Sequence, residues 1–257
     1  NKNTITAGSN QLIDNGLEIE IFLGGTASDT YNVTKTGTNP VILRGNAGNE
    51  AYNVTFGALV GSVTIDDATN AADNDFLDVI STGTTKLTVS NDNKITHGTE
   101  VINFNALYDN VDRMHITSLA ALVEFIGGAV EILDLKNDLI VNANAITWAG
   151  RIHAGEINFD SATGMIVNHE LRTRANGDIK LDAATGNIQI NEGITIASDQ
   201  GDVGSGNGTI TLNALAGSIL SDGDGWITSS AGVFDTDLDW ALSGSFYDET
   251  SINFNNA

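Results

Sequence analysis

The chain contains no cysteine. Disulfides, thiolate metal ligands and a cysteine nucleophile are therefore excluded. Proline occurs once, at Pro40, so the turns must rest on other residues. Basic side chains are scarce: 11 Lys and Arg face 33 Asp and Glu, for a net charge of −22. Such a surface repels phosphate backbones and anionic lipid, which argues against nucleic-acid and membrane-surface partners. No apolar run reaches the roughly 18 residues that a spanning helix needs. The most apolar stretch, Leu119 to Leu135, is interrupted by Glu124 and Glu131. What the chain does have is glycine, 28 residues of it, and a hydrophobic content of 41%, enough to support a core. Gly and Asn supply the positive φ values of tight turns, and Asp and Asn make Asx turns. The sequence starts at Asn1 and shows no signal peptide, so a fragment of a larger, processed protein is expected.

Three segments share one pattern. Gly155-Glu-Ile157-Asn-Phe159-Asp160, Gly177-Asp-Ile179-Lys-Leu181-Asp182 and Gly208-Thr-Ile210-Thr-Leu212-Asn213 each end in Gly four residues later, at Gly164, Gly186 and Gly217. Each is followed by a short apolar segment: Met165-Ile166-Val167, Ile188-Gln-Ile190 and Ile219-Leu220. A unit this small cannot bury its own apolar face and must stack on a copy of itself. The spacing is 22 residues, then 31. The longer unit aligns Gly186 with Gly217, Ile188 with Ile219 and Ile196 with Ile227, and the added length is assigned to a strand-turn at Gly193 to Gly201.

The first section carries its own repeat. Gly24-Gly25-Thr-Ala27-Ser-Asp29-Thr-Tyr31-Asn32-Val33-Thr34 recurs 21 residues later as Gly45-Asn46-Ala-Gly48-Asn-Glu50-Ala-Tyr52-Asn53-Val54-Thr55. A weaker third copy runs through Asp73-Asn-Asp75-Phe-Leu77-Asp78-Val79. Period-two apolar alternation bounded by Gly, Asn and Asp reads as strands. Stacked strands put equivalent residues one above another about 4.8 Å apart, so Asn32 over Asn53 is expected to form a hydrogen-bonded ladder. At about 22 residues per turn of such a stack, roughly eleven turns would make a rod on the order of 50 Å long.

The expected fold is all-β, a right-handed parallel β-helix (β-solenoid), with a short helix at 118–127 ended by Gly127-Gly128. A strand reading of 123–126 and 130–133 competes with that helix. Two sections are expected in one continuous stack, 1–117 and 118–257.

The segment Gly24 to Thr55 resembles the calcium-binding nonapeptides of repeats-in-toxin proteins, departing from them at Ala27, Asn46 and Glu50 and in lacking tandem copies. The first section as a whole is more similar to the Asp-x-Tyr-Asn-Val-Thr repeats of giant bacterial surface proteins. The second half looks like the haemagglutination repeats of filamentous-haemagglutinin-like exoproteins. These resemblances imply a bacterial extracellular or cell-surface solenoid used in adhesion or filament building. The implied partners are further copies or domains of the same protein at the solenoid ends, and cell-surface glycans or proteins.

Calcium is the candidate ligand, through Asp29, Glu50, Asp73, Asp75, Asp222 and Asp224, with Asp66-Asp67, Asp109 to Asp112 and Asp235 to Asp239 as further acidic clusters, because alternate carboxylates can converge on an ion that takes 6 to 8 oxygens. The competing reading is that these are turn residues bonded to their own backbone. The cluster His153, Glu156, His169, Glu170, Arg172 and Arg174 is the densest set of charged groups suited to catalysis. Arg172 and Arg174 lie two apart in a strand, on one face, where they suit an acidic sugar. That is the basis of the alternative, a polysaccharide lyase or hydrolase; solvent-facing ion pairs are the plainer account. Trp226 aligns with Thr195 at an outward position and is a candidate contact residue, with Trp148 and Trp240 as further aromatics. No catalytic group is shared among the repeats, so a structural or adhesive protein and not an enzyme is the expectation.

Overall fold

A computed structural model describes residues 3–7, 10–14, 21–67, 73–104, 111–174, 176–198, 208–221, 226–229, 232–235, 240–242, 246–247 and 252–256; side chains are described from 21 to 221 within these, except Ala129, and for Ile227. Every regular element among them is a β-strand. The chain is all-β, built on one large and mostly parallel sheet.

Parallel pairing follows the repeats. One ladder runs through Thr30–Val33, Ala51–Phe56, Phe76–Ser81, then the starts of Arg113–Asp134, Asp138–Ala154 and Glu156–Val167, and on to Ile179–Ala183, Ile210–Ala214 and Ile252–Asn256. A second joins Ile21–Leu23, Val41–Arg44, Val63–Ile65 and Glu100–Asn103. A third takes Leu87–Ser90 through 123–126, 145–148 and 164–167 to Ile188–Ile190 and Ile219–Ser221. A fourth joins 152–154, Leu171–Thr173, Thr195–Ala197 and Trp226–Ser229. The exceptions include an antiparallel hairpin set, in which Lys94–His97 pairs with both Leu87–Ser90 and Glu100–Asn103. Its reversals use positive φ at Asn93 (59°) and Gly98 (63°).

The register is the one the repeats demand. Ile157, Ile179 and Ile210 stack, as do Phe159, Leu181 and Leu212, all fully buried. Residues between them face outward and are half-exposed, which is the period of two expected of strands covered on one face. Tyr31 lies flat on Tyr52 at 5.2 Å between ring centroids, and Asn53 Nδ2 donates to Asn32 Oδ1 at 2.8 Å.

Three expectations are corrected. Residues 118–127 are strand, not helix: they lie within Arg113–Asp134, and Val123 and Phe125 pair with Leu87 and Val89. Ala121, Val123 and Phe125 are buried while Leu122 and Glu124 between them are not, a period of two that a helix would break. Second, the strand at Thr195–Ala197 is not the inserted piece, because Leu171–Thr173 is its counterpart in the shorter repeat. The inward anchors lie 14 and 8 residues apart in one repeat (Ile157, Leu171, Ile179) and 17 and 14 in the next (Ile179, Ile196, Ile210). Both connections lengthened while the strands stayed in register. Third, Trp148 is no contact residue. It is fully buried, edge-on to Phe159 at 5.4 Å, and its indole N–H donates to the His169 carbonyl at 3.0 Å.

Candidate functional site

Two groups of charged side chains are assembled by the parallel register. The first is an acidic column. Thr30, Ala51, Phe76 and Arg113 occupy one register position in successive strands. The residues just before them, Asp29, Glu50, Asp75 and Asp112, therefore stack at one corner. Their backbones interlock: Ala51 N–H donates to Asp29 O, Phe76 N–H to Glu50 O and Arg113 N–H to Asp75 O. Side chains extend the pattern, with Glu50 N–H on Asp75 Oδ1 at 2.9 Å and Asp75 N–H on Asp112 Oδ2 at 2.8 Å.

Asp67 enters this corner from the neighbouring turn. Its Oδ1 accepts the Asn46 N–H at 2.9 Å and its Oδ2 accepts the Tyr52 hydroxyl. Carboxylate oxygens of Glu50, Asp67 and Asp75 all fall within 4.8 Å of one another, and all three residues are buried. Glu50 is only 1% exposed, yet neither of its carboxylate oxygens has a hydrogen-bond partner. Burial raises its pKa. Burial also pushes Asp75 up to about 8, with the charges of Asp67 and Glu50 adding to the effect. The Tyr52 hydroxyl is raised strongly, first by burial and then by its bond to Asp67. Gly45 is what leaves room: a Cβ there would stand 2.3 Å from Glu50 Cγ and 2.7 Å from Asp67 Oδ2.

Of the calcium candidates, the structure thus brings Glu50 and Asp75 together. Asp73 is adjacent, accepting the Gly48 N–H at 3.2 Å. Asp29 lies one strand further along the column and accepts the Gly25 N–H at 2.8 Å. Asp222 and Asp224 lie outside the described residues, as does the Trp226 side chain, although the Trp226 backbone pairs with Thr195 in the expected register.

The second group lines an open groove of about 400 Å³: Glu131, Arg151, His153, Glu170 and Arg172. Again register explains it. Glu131 pairs with Arg151, Asp134 with His153, and His153 with Arg172. Glu170 holds both Arg151 Nε at 2.6 Å and Arg172 Nε at 2.5 Å. Arg174 turns away to the Asp134 carboxylate and the Leu135 carbonyl. The two arginines therefore do not converge on one ligand position. His153 Nδ1 is 3.4 Å from Asp134 Oδ1; burial, then the Arg174 charge, lowers its pKa. Glu156 lies on a different ladder, opposite Asp138, and His169 Nδ1 accepts the Glu170 N–H at 2.8 Å. The six-residue cluster read from sequence is thus divided.

Sequence reasoning placed Asp67 among the further acidic clusters but left Glu131, Asp134 and Arg151 out of the candidate sites. The Asp66-Asp67 pair was visible as a cluster, but nothing in its sequence position joins Asp67 to Glu50 and Asp75, which it meets only where two ladders adjoin. Arg151 lies 20 residues from Glu131 in sequence, and only the pairing register makes them neighbours.

No family model, no curated protein and no solved structure matches this chain.

Proposed function

We propose that this chain is a right-handed parallel β-solenoid segment of an extracellular bacterial structural or adhesive protein. The observation that supports this best is the unbroken parallel ladder from Thr30–Val33 to Ile252–Asn256. Nine strands follow one another in it, which at about 4.8 Å per step is a stack of roughly 40 Å. Parallel neighbours require crossover connections, and crossovers are right-handed in nearly all sheets. A stack of this kind buries its apolar residues inside and repeats a polar outer surface at fixed spacing, which suits a rod that presents or joins rather than one that turns over a substrate.

The catalytic alternative rests on the groove. Its two arginines, Arg151 and Arg172, are both committed to Glu170, and Arg174 outside it to Asp134, which leaves little free positive charge for an acidic sugar. Electron microscopy of the purified chain, with a test for adhesion of coated beads to cells and glycans, checks the proposal. Rods that bind a surface are expected. Compact particles, or turnover of acidic polysaccharide that is lost in Arg172→Ala, would overturn it.

A further inference from the structure

Glu50 poses an electrostatic problem. A buried carboxylate without a hydrogen bond or counter-charge is strongly disfavoured, because nothing replaces the water it has lost. Here it lies within 4.8 Å of two other buried carboxylates. None of the ion pairs among the described residues involves Glu50 or Asp75. The nearby ammonium of Lys136 faces Asp112 at 3.7 Å and donates to the Asp73 carbonyl at 3.0 Å instead.

The geometry points to a buried divalent-cation site, of calcium chemistry, held by Glu50, Asp67 and Asp75. Three anionic oxygen donors suit a hard cation and not a thiolate- or imidazole-seeking one. Two oxygens on opposite sides of a calcium ion, each at about 2.4 Å, are about 4.8 Å apart, and carboxylate oxygens of all three residues lie within that distance of one another. Magnesium is smaller and keeps several of its waters, so a buried carboxylate cage favours calcium. The space is already made by glycine: a Cβ on Gly45 would meet Glu50, Tyr52 and Asp67, and one on Gly48 would come within 2.8 Å of Glu50 Oε1. The three ligands precede or follow different strands, Ala51–Phe56, Phe76–Ser81 and Val63–Ile65. An ion there ties two steps of one ladder to the adjacent ladder. This conclusion is independent of whether the chain is an adhesin or an enzyme.

The test uses the full chain, stripped with chelator and titrated with calcium alone, and with terbium as a luminescent probe excited through tyrosine. Calcium at a hundred times its Kd is expected to shift the folding equilibrium about 100-fold. Glu50→Gln and Asp75→Asn should each remove most of that shift. In chelator, Glu50→Gln should melt at or above the unsubstituted chain, because it removes a buried charge. The resulting reversal of order between chelator and calcium is a signature that simple damage to the fold does not produce. Terbium luminescence should be displaced by calcium and weakened by Tyr52→Phe, a readout that serves even if the carboxylate variants fail to fold. Two results would overturn the site. One is a chain indifferent to calcium and terbium whose Glu50→Gln variant changes only the pH dependence of melting, which means that Glu50 and Asp75 share a proton instead. The other is a calcium shift that survives both substitutions.

Discussion

Gly186→Ala tests the stacking argument at its tightest point. A Cβ at Gly186 would lie 1.3 Å from the Thr163 carbonyl oxygen and 2.5 Å from the Thr163 carbonyl carbon. Both are backbone atoms of the preceding repeat, so no side-chain rotation can relieve the contact. The backbones would have to part by about 2 Å in a ladder whose spacing is only about 4.8 Å. The neighbouring bond from Met165 N–H to Asn187 O (2.9 Å), which joins the same two repeats, would stretch with it. Overpacking typically costs 1–3 kcal/mol, and rigid backbone places this case at or above about 3 kcal/mol. For a chain of this size that lowers the melting temperature by roughly 10 °C. Gly83→Ala is the control, since its nearest atom would be 3.5 Å away, on the His97 ring. Thermal melts followed by circular dichroism, with amide exchange to localise the damage, are the assay. Loss of exchange protection should centre on 163–167 and 186–190. A Gly186→Ala protein that melts within about 2 °C of the Gly83→Ala control would refute the register on which the fold description rests.

Phe159→Ala should cost about 3–5 kcal/mol, because Phe159 is fully buried and touches both Phe125 and Trp148; a chemical denaturation midpoint equal to that of the unsubstituted chain would contradict the packing. Asp138 supplies a pH prediction. Burial would raise its pKa, but the bonds from His115 Nε2 at 3.0 Å and Arg113 Nε at 2.6 Å outweigh that and hold it well below the usual carboxylate range. A depressed carboxylate stabilises the fold above its unfolded pKa, near 4, and that stability is lost as the pH falls further. The loss should be on the order of 2 kcal/mol, and Asp138→Asn should flatten the acid limb of a plot of melting temperature against pH.

Much of the fold was legible because stacked repeats convert sequence periodicity directly into contact. Tyr31 on Tyr52, Asn32 on Asn53 and Ile196 beside Ile227 follow from counting alone, since each pair repeats the spacing of its strands. The stretch 118–127 was harder to read. Leu119 to Ile126 followed by two glycines satisfies a helix-stop pattern, and a chain with one apolar face on either period is ambiguous over so few residues. Pairing partners on both sides resolve it as strand, because backbone groups in the middle of a sheet are satisfied by neighbours the local sequence does not contain.

The charged sites divide along the same physical line. Glu50 and Asp75 were recognisable as acidic residues before a strand, in the first case by repeat position. Their convergence with Asp67, and the absence of any hydrogen-bond partner for Glu50, depend on how two ladders meet at a corner. Arg172 and Arg174 share a face by the rule of alternation, yet their heads go to different carboxylates, Glu170 and Asp134. Composition and periodicity alone determined that this chain is all-β, acidic, free of thiol chemistry and built from stacking units. Which carboxylates are stripped of water together, and which are neutralised by arginine, was decided by the tertiary structure, because desolvation depends on the atoms that surround a group in space and not on its place in the chain.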